Sequence, residues 1–221
     1  MNIKNAVVAG VLALALANAQ AALFDRGGGL IYDDVLKVTW LQDANYAHTT
    51  RYDQSIYEGQ STVGMMRWQD AMSWAQNLIY GGYSDWRLPT SMQPDVGCSG
   101  QESGVSFGYG CVGSEMGHLY YESLRNSAYL LSNVGPFKNV DGNPAYWTSA
   151  TFTLDPSHAW AFTFNDGSQH AYQKNIFRFA WAVRDGDVAA LIPEPETYAM
   201  MLAGLGLIGV VARRRKQKAV A

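Results

Sequence analysis

The chain has 221 residues, 48% hydrophobic and 16% charged, with a formal net charge of −3 at pH 7. That charge is unevenly spread: residues 22–196 carry ten of the 16 basic side chains and all 19 acidic ones, a net of −9. So acidic a segment is a poor partner for nucleic acid or an anionic membrane surface, both of which are held chiefly through Lys and Arg.

Residues 1–21 have the order of a secretory signal. Lys4 comes first, then the uncharged apolar stretch 6–17, then the small-x-small ends Ala17-Asn18-Ala19 and Ala19-Gln20-Ala21. Cleavage by signal peptidase between Ala21 and Ala22 starts the mature chain. The apolar stretch is too short for a membrane span, which takes about 20 residues. Residues 22–188 then have the length of one domain.

Within that body, 30–33 and 38–41 read as two short strands around a polar turn. Residues 44–64 are polar and Tyr-rich, and a loop is expected. Trp68, Met72, Ala75, Leu78 and Ile79 fall at helical spacing, predicting a helix over 68–80 that Gly81-Gly82 ends. Trp86-Arg87-Leu88-Pro89-Thr90 is an extended piece halted by proline. Residues 91–113 form a long Gly/Ser-rich loop holding Cys98 and Cys111, which an oxidising compartment favours as a disulfide. A second helix is expected over 114–125 with Ser114 as N-cap. The last third reads as strands 145–149, 159–164, 168–173 and 179–184, with Asn165-Asp166-Gly167 as a hairpin turn.

The C-terminus has a linker, 189–192, and three further parts. Pro193-Glu194-Pro195-Glu196 is kept out of a helix by its prolines. The apolar run 198–212 contains Gly204, Gly206 and Gly209, and Arg213-Arg214-Arg215-Lys216 follows it. The run predicts a short transmembrane helix whose Arg side chains snorkel to the head groups. The positive-inside rule leaves the Arg cluster, and residues 217–221 after it, in the cytoplasm and the body outside. This tripartite tail resembles the PEP-CTERM sorting signal. The resemblance implies that an exosortase recognises residues 193–216 and cuts near the Pro-Glu-Pro motif. Insertion in the inner membrane is then transient, and the destination is the cell surface or the extracellular matrix.

Four body motifs occur in one order: Leu30-Ile31-Tyr32-Asp33 with Trp40-Leu41; Trp68-Gln69-Asp70-Ala71; Trp86-Arg87-Leu88-Pro89-Thr90; and Tyr146-Trp147-Thr148-Ser149 with Ala159-Trp160, Phe164, Gly167, Lys174 and Ala182-Val183-Arg184. In this they resemble the Lcl C-terminal-like domain of secreted collagen-like adhesins. The resemblance implies an α+β, C-type-lectin-like single domain with short antiparallel strands and two helices. It also implies binding to glycans or surface polymers. The chain departs from that pattern at Ser91-Met92-Gln93-Pro94, where the family continues into a helix and this chain inserts its cysteine loop.

All seven Trp lie in the body, where they serve either as core or as faces for stacking on sugar rings. Trp147 and Trp160 are the candidates for stacking. Arg87, with Lys174 and Arg184, either holds an acidic glycan or pairs internally with Asp33, Asp70 or Asp85. Gln93-Pro94-Asp95 spells the sugar-specificity tripeptide of galactose-type C-type lectins, in which Gln93 and Asp95 would meet calcium and sugar together. Asn165 and Asp166 imitate the second ligand pair, at a much longer separation than in those lectins. Calcium takes six to eight oxygens, so Asp95, Asn165 and Asp166 are its candidate ligands, and no other cofactor is expected. Gly108 to Gly113 matches G-x-G-x-x-G without the strand and helix that phosphate binding needs. His48, His118, His158 and His170 lack metal-ligand spacing, and no G-x-S-x-G elbow occurs. The expectation is a non-enzymatic module that binds extracellular polysaccharide. The alternatives are a structural protein contacting matrix proteins only and an envelope enzyme.

Overall fold

The computed structural model describes residues 22–59 and 62–188. The expected secretory signal, 1–21, and residues 189–221, where the linker and sorting tail are expected, lie outside the described residues, and with them Ala21, Pro193, Glu194, Pro195, Arg213, Arg214 and Arg215.

Strands β1 (Leu23–Gly27), β2 (Leu30–Asp33) and β3 (Val38–Leu41) form an antiparallel meander. β2 and β3 are buried at every position, the polar Asp33 and Thr39 included. β1 escapes the sequence reading because Phe24 and Asp25 are both exposed and no period-2 pattern survives. Asp33 ties the β2–β3 turn: its Oδ1 accepts the N–H groups of Val35 and Leu36 at 3.0 Å each, and its Oδ2 accepts Ser123 Oγ at 2.8 Å.

Residues 44–64 are not the expected loop. They hold two single-turn helices, α1 (Tyr46–Thr49) and α2 (Tyr52–Ile56). Neither is long enough to show a helical period, and segments this short depend on tertiary contacts. The fully buried Asp53 carboxylate supplies one, accepting Gly64 N at 3.0 Å and Thr62 Oγ1 at 3.2 Å. Helix α3 (Trp68–Gln76) stops four residues before the predicted end. Tyr80 and Tyr83 pair there in a tight turn across Gly81 and Gly82, both at positive φ.

Residues 91–113 are likewise no simple loop. They carry a hairpin, β4 (Gly100–Glu102) and β5 (Val105–Phe107), turning through Ser103 and Gly104 at φ +51° and +80°. The second predicted helix splits into α4 (Glu115–His118) and a π-helical turn, Leu119–Ser123. Ser114 occupies the N-cap position as expected, but its side chain makes no capping bond; its Oγ accepts Met92 N at 3.0 Å instead. Strands β6 (Tyr146–Thr151), β7 (His158–Thr163) and β8 (Ser168–Gln173) form a second antiparallel sheet. Asn165, Asp166 and Gly167 lie in the β7–β8 turn, with Thr163 opposite Ser168. A Cβ on Gly167 would fall 2.5 Å from the Tyr121 hydroxyl, so the tight approach requires glycine. The predicted strand 179–184 narrows to β9 (Val183–Asp185), which pairs with β3 to complete the order β1-β2-β3-β9. The described body is thus mixed α and β, with short antiparallel strands and few, short helices.

The core is aromatic. Trp40, Trp147, Trp181, Tyr146, Phe162, Phe164 and Phe179 are all at most 1% exposed. They meet edge-on or tilted, with Trp40–Trp181 and Phe162–Phe164 centroids 5.3 and 5.2 Å apart. Indole N–H groups taken out of water need acceptors. Trp147 Nε1 donates to Met66 O at 2.9 Å and Trp181 Nε1 to Leu41 O at 2.7 Å.

Candidate functional site

The cysteine arm, residues 91–113, is shaped by its own polar side chains. Cys98 and Cys111 are joined in a disulfide. Asp95 is buried, and both its oxygens are used: Oδ1 accepts Gly97 N at 2.9 Å and Oδ2 accepts Gly113 N at 2.8 Å. Gln93 reads the Ser106 backbone twice, donating from Nε2 to its carbonyl at 2.9 Å and accepting its N–H at 2.7 Å. These bonds fasten the start of the arm to the β4–β5 hairpin. Gly108 and Gln169 then exchange backbone hydrogen bonds at 2.9 and 2.8 Å, which docks the arm on the edge of β8.

This arrangement places the proposed calcium ligands in separate turns. Asp95 shapes the arm, while Asp166 Oδ1 accepts Ser168 N at 3.0 Å and Ser168 Oγ at 2.7 Å in the β7–β8 turn. Asn165 is exposed beside it. Among the described residues, the group of His, Cys, Asp and Glu ligand atoms within 4.8 Å of one another is Asp95, Cys98 and Cys111. Two of its three members are the disulfide sulfurs, which offer no thiolate.

Trp147 and Trp160, expected as stacking faces, are 0% and 1% exposed. This corrects the expectation: a ring enclosed on both faces cannot receive a sugar. Arg87 lies between two carboxylates. It donates to Glu115 at 2.8 and 2.7 Å and to Asp185, so burial works against its charge while both acids raise its pKa above the ordinary guanidinium value. Arg184 binds Asp85 at 2.8 and 2.9 Å, as one of the expected internal pairs. Lys174 instead puts Nζ 4.2 Å from the Trp68 ring centre. Asp70 accepts the Tyr57 hydroxyl at 2.5 Å, and burial together with that bond pushes the phenol up to about 12.

What the residues do form is a cleft of about 290 Å³ between the β4–β5 hairpin and the β7–β8 strands. Val105, Phe107, Phe152, Leu154, Trp160 and His170 line it, with Glu102, Ser103 and Ala171. Leu154 is 56% exposed at its mouth. Phe152 meets the enclosed Trp160 edge-on at 5.3 Å, and Phe107 lies 6.3 Å from the His170 ring. Burial lowers the His170 pKa, with Asp166 acting in the opposite direction. The site therefore offers apolar faces, a neutral imidazole at pH 7 and a carboxylate and hydroxyl from Glu102 and Ser103. A second cavity, about 270 Å³, is polar and lined by Asn45, His48, Thr49, Asn139, Val140 and Asp141. Beside it, Thr49 and Asn139 donate to Asp43 at 2.6 and 2.9 Å, so these donors already have a protein acceptor. Ligand sites are usually apolar clefts with a few polar groups, and the first cavity has that character.

Phe107, Phe152 and Leu154 were not singled out by sequence reasoning. They sit in Gly-, Ser- and Thr-rich stretches with no periodicity, and only the cysteine pair marks the arm as built.

Residues 191–216 match the PEP-CTERM protein-sorting motif. Such a motif implies processing by an exosortase, export and a surface-directed fate. No curated protein and no solved structure matches the chain, so the likeness of the body to the Lcl-type domain finds no support there. Among the described residues no helix is long and apolar enough to cross a membrane, and the apolar run 198–212 lies outside them.

Proposed function

We propose that this is an exosortase-processed surface or matrix protein whose body binds extracellular polysaccharide without catalysis. The tail inserts transiently in the inner membrane and is removed, leaving the acidic body at the cell surface or in the matrix. The body is read as a C-type-lectin-like domain, a reading supported by its short antiparallel strands and few helices and by its motif order. No cofactor is assigned. The observation that carries the binding role is the aromatic and aliphatic cleft under the β4–β5 hairpin, open at Leu154. Sugar rings have apolar C–H faces that pack on such side chains, while Glu102, Ser103 and His170 can meet hydroxyls.

The test is retention of the purified full-length protein on immobilised matrix polysaccharide. Leu154→Asp should lower retention about tenfold without moving the thermal midpoint, because Leu154 is half exposed. Undiminished retention would remove the cleft from the proposal. In cells, mass spectrometry of the surface form should find the chain ending near Pro193, and an intact Arg213–Arg215 cluster on the surface product would refute the processing step.

A further inference from the structure

We propose that Tyr109, Tyr129 and Asp166 form a second sugar-contacting surface, a stacking platform for an uncharged hexopyranose unit of the polymer bound in the cleft. The inference rests on the polysaccharide-binding reading and adds a position and a charge class to it.

The platform is assembled from three distant segments. Tyr109 belongs to the arm, where Ser99 holds it by two bonds: Tyr109 N donates to Ser99 Oγ at 3.0 Å and Ser99 N to Tyr109 O at 2.7 Å. Tyr129 belongs to the turn 127–130, closed by Leu130 N donating to Ser127 O at 3.2 Å. Asp166 belongs to the β7–β8 turn, and its carbonyl accepts Tyr129 N at 2.8 Å. The two tyrosine rings lie 4.3 Å apart, centre to centre, tilted by 48°.

Tyr129 is the aromatic side chain among the eight non-glycine residues at positive φ in the described part of the chain. Its φ is +71°, at the third position of a turn where positive φ favours Gly or Asn. It is also 70% exposed, so burial does not offset that backbone strain. A bulky aromatic held in a left-handed conformation at the surface is a feature expected of a contact residue rather than of packing. The pair offers π faces to a sugar's apolar side. Asp166 Oδ1 is engaged by Ser168, and Oδ2 has no hydrogen-bond partner among the described residues, leaving an acceptor for hydroxyls.

Charge selects the ligand class. Residues 22–188 carry ten basic and 17 acidic side chains, a net of −7, and the platform itself holds Asp166, so an acidic polymer is repelled and an uncharged one is not. Position connects the two surfaces. Asp166 lies two residues before β8 and His170 of the cleft lies within that strand, so one chain running along β8 meets both.

The experiment uses the full-length protein with two uncharged glucans, dextran and laminarin, and acidic alginate, read by affinity electrophoresis and isothermal calorimetry. We expect a glucan to bind and alginate not to. Tyr129→Gly should weaken glucan binding about tenfold, the scale of one lost aromatic contact. Its thermal midpoint should stay level or rise, since glycine accepts positive φ freely. Leu154→Asp is measured beside it. If Tyr129→Gly binds as well as the parent while Leu154→Asp fails, the platform is wrong and the cleft reading stands. If Tyr129→Gly fails while Leu154→Asp binds, the platform stands and the cleft does not. Preference for alginate overturns the charge assignment, and binding to none of the three polymers overturns the platform.

Discussion

Two sets of aromatic side chains, similar in sequence, have opposite fates in this body. Around Trp181, rings from both sheets are enclosed, and each of Trp147 and Trp181 ends in a hydrogen bond from its indole to a backbone carbonyl. Around the cysteine arm, Phe107, Tyr109, Tyr129 and Phe152 keep part of their surface in solvent, and the elements beneath them are held by side-chain-to-backbone bonds and a disulfide. The inner set is held by burial, the outer by staples. Aromatic richness alone therefore says nothing about ligand binding here; what separates the two sets is what fastens the backbone under them.

The comparison breaks most readily at Trp181. It contacts Trp40, Phe137, Tyr146 and Phe164, and it is fully buried. Trp181→Ala should cost about 3–5 kcal/mol, the range for emptying a large aromatic site, with Leu41 O left unpaired as well. Denaturant titration measures it. A loss below about 1.5 kcal/mol would mean the inner set is not a packed core. Tyr129→Ala, from the outer set, should stay within about 0.5 kcal/mol by the same titration.

How much of this was legible in the sequence follows from the same division. β2 and β3 were readable from mostly apolar stretches around a polar turn, and β8 from the turn signal that precedes it. The Asn165-Asp166-Gly167 turn was readable because Gly167 has chemistry no other residue supplies. The sorting motif was readable because its three parts are contiguous. α1, α2 and the β4–β5 hairpin were not, because each is too short for a period and rests on partners distant in sequence: Asp53 with Gly64, Gln93 with Ser106, Gly108 with Gln169. The candidate site was misplaced for a related reason. Trp147 and Trp160 are the more conspicuous residues in the sequence, but strand pairing encloses them, while Phe107 and Tyr109 are placed by the docking of Gly108 on Gln169, and Tyr129 by its bond to the Asp166 carbonyl.

The disulfide sharpens the comparison from the other side. Replacing Cys98 and Cys111 by Ser opens a loop closed across a sequence separation of 13, and chain entropy puts the loss at about 3 kcal/mol. That loss belongs to the arm. Glucan binding should fall, and hydrogen exchange in 98–111 should quicken much more than in β2 and β3. Uniform quickening across both regions would show that arm and core open together, and the distinction between burial and staples would not hold.

The smallest effect separates the regions by pH. His170 faces the cleft, near Asp166 and Glu102, and burial holds its pKa below the ordinary value of about 6.5. The unfolded chain therefore takes up a proton at this position sooner than the folded chain as pH falls. By linkage, stability declines as pH drops below about 6.5, and the decline levels off once the folded His170 also titrates. Asp53 and Asp85 act in a separate window. Burial works against the Asp53 charge, but bonds from Gly64, Thr62 and His48 depress its pKa, and Arg184 depresses that of Asp85. Depressed carboxylates contribute stability above about pH 4, and it is lost as pH falls through their folded values. A plot of unfolding free energy against pH should thus show a shallow step below 6.5 and a steeper fall under 4. His170→Gln should erase the upper step and leave the lower one. Survival of the upper step in that variant would assign it to another histidine, and the cleft would lose its titrating group.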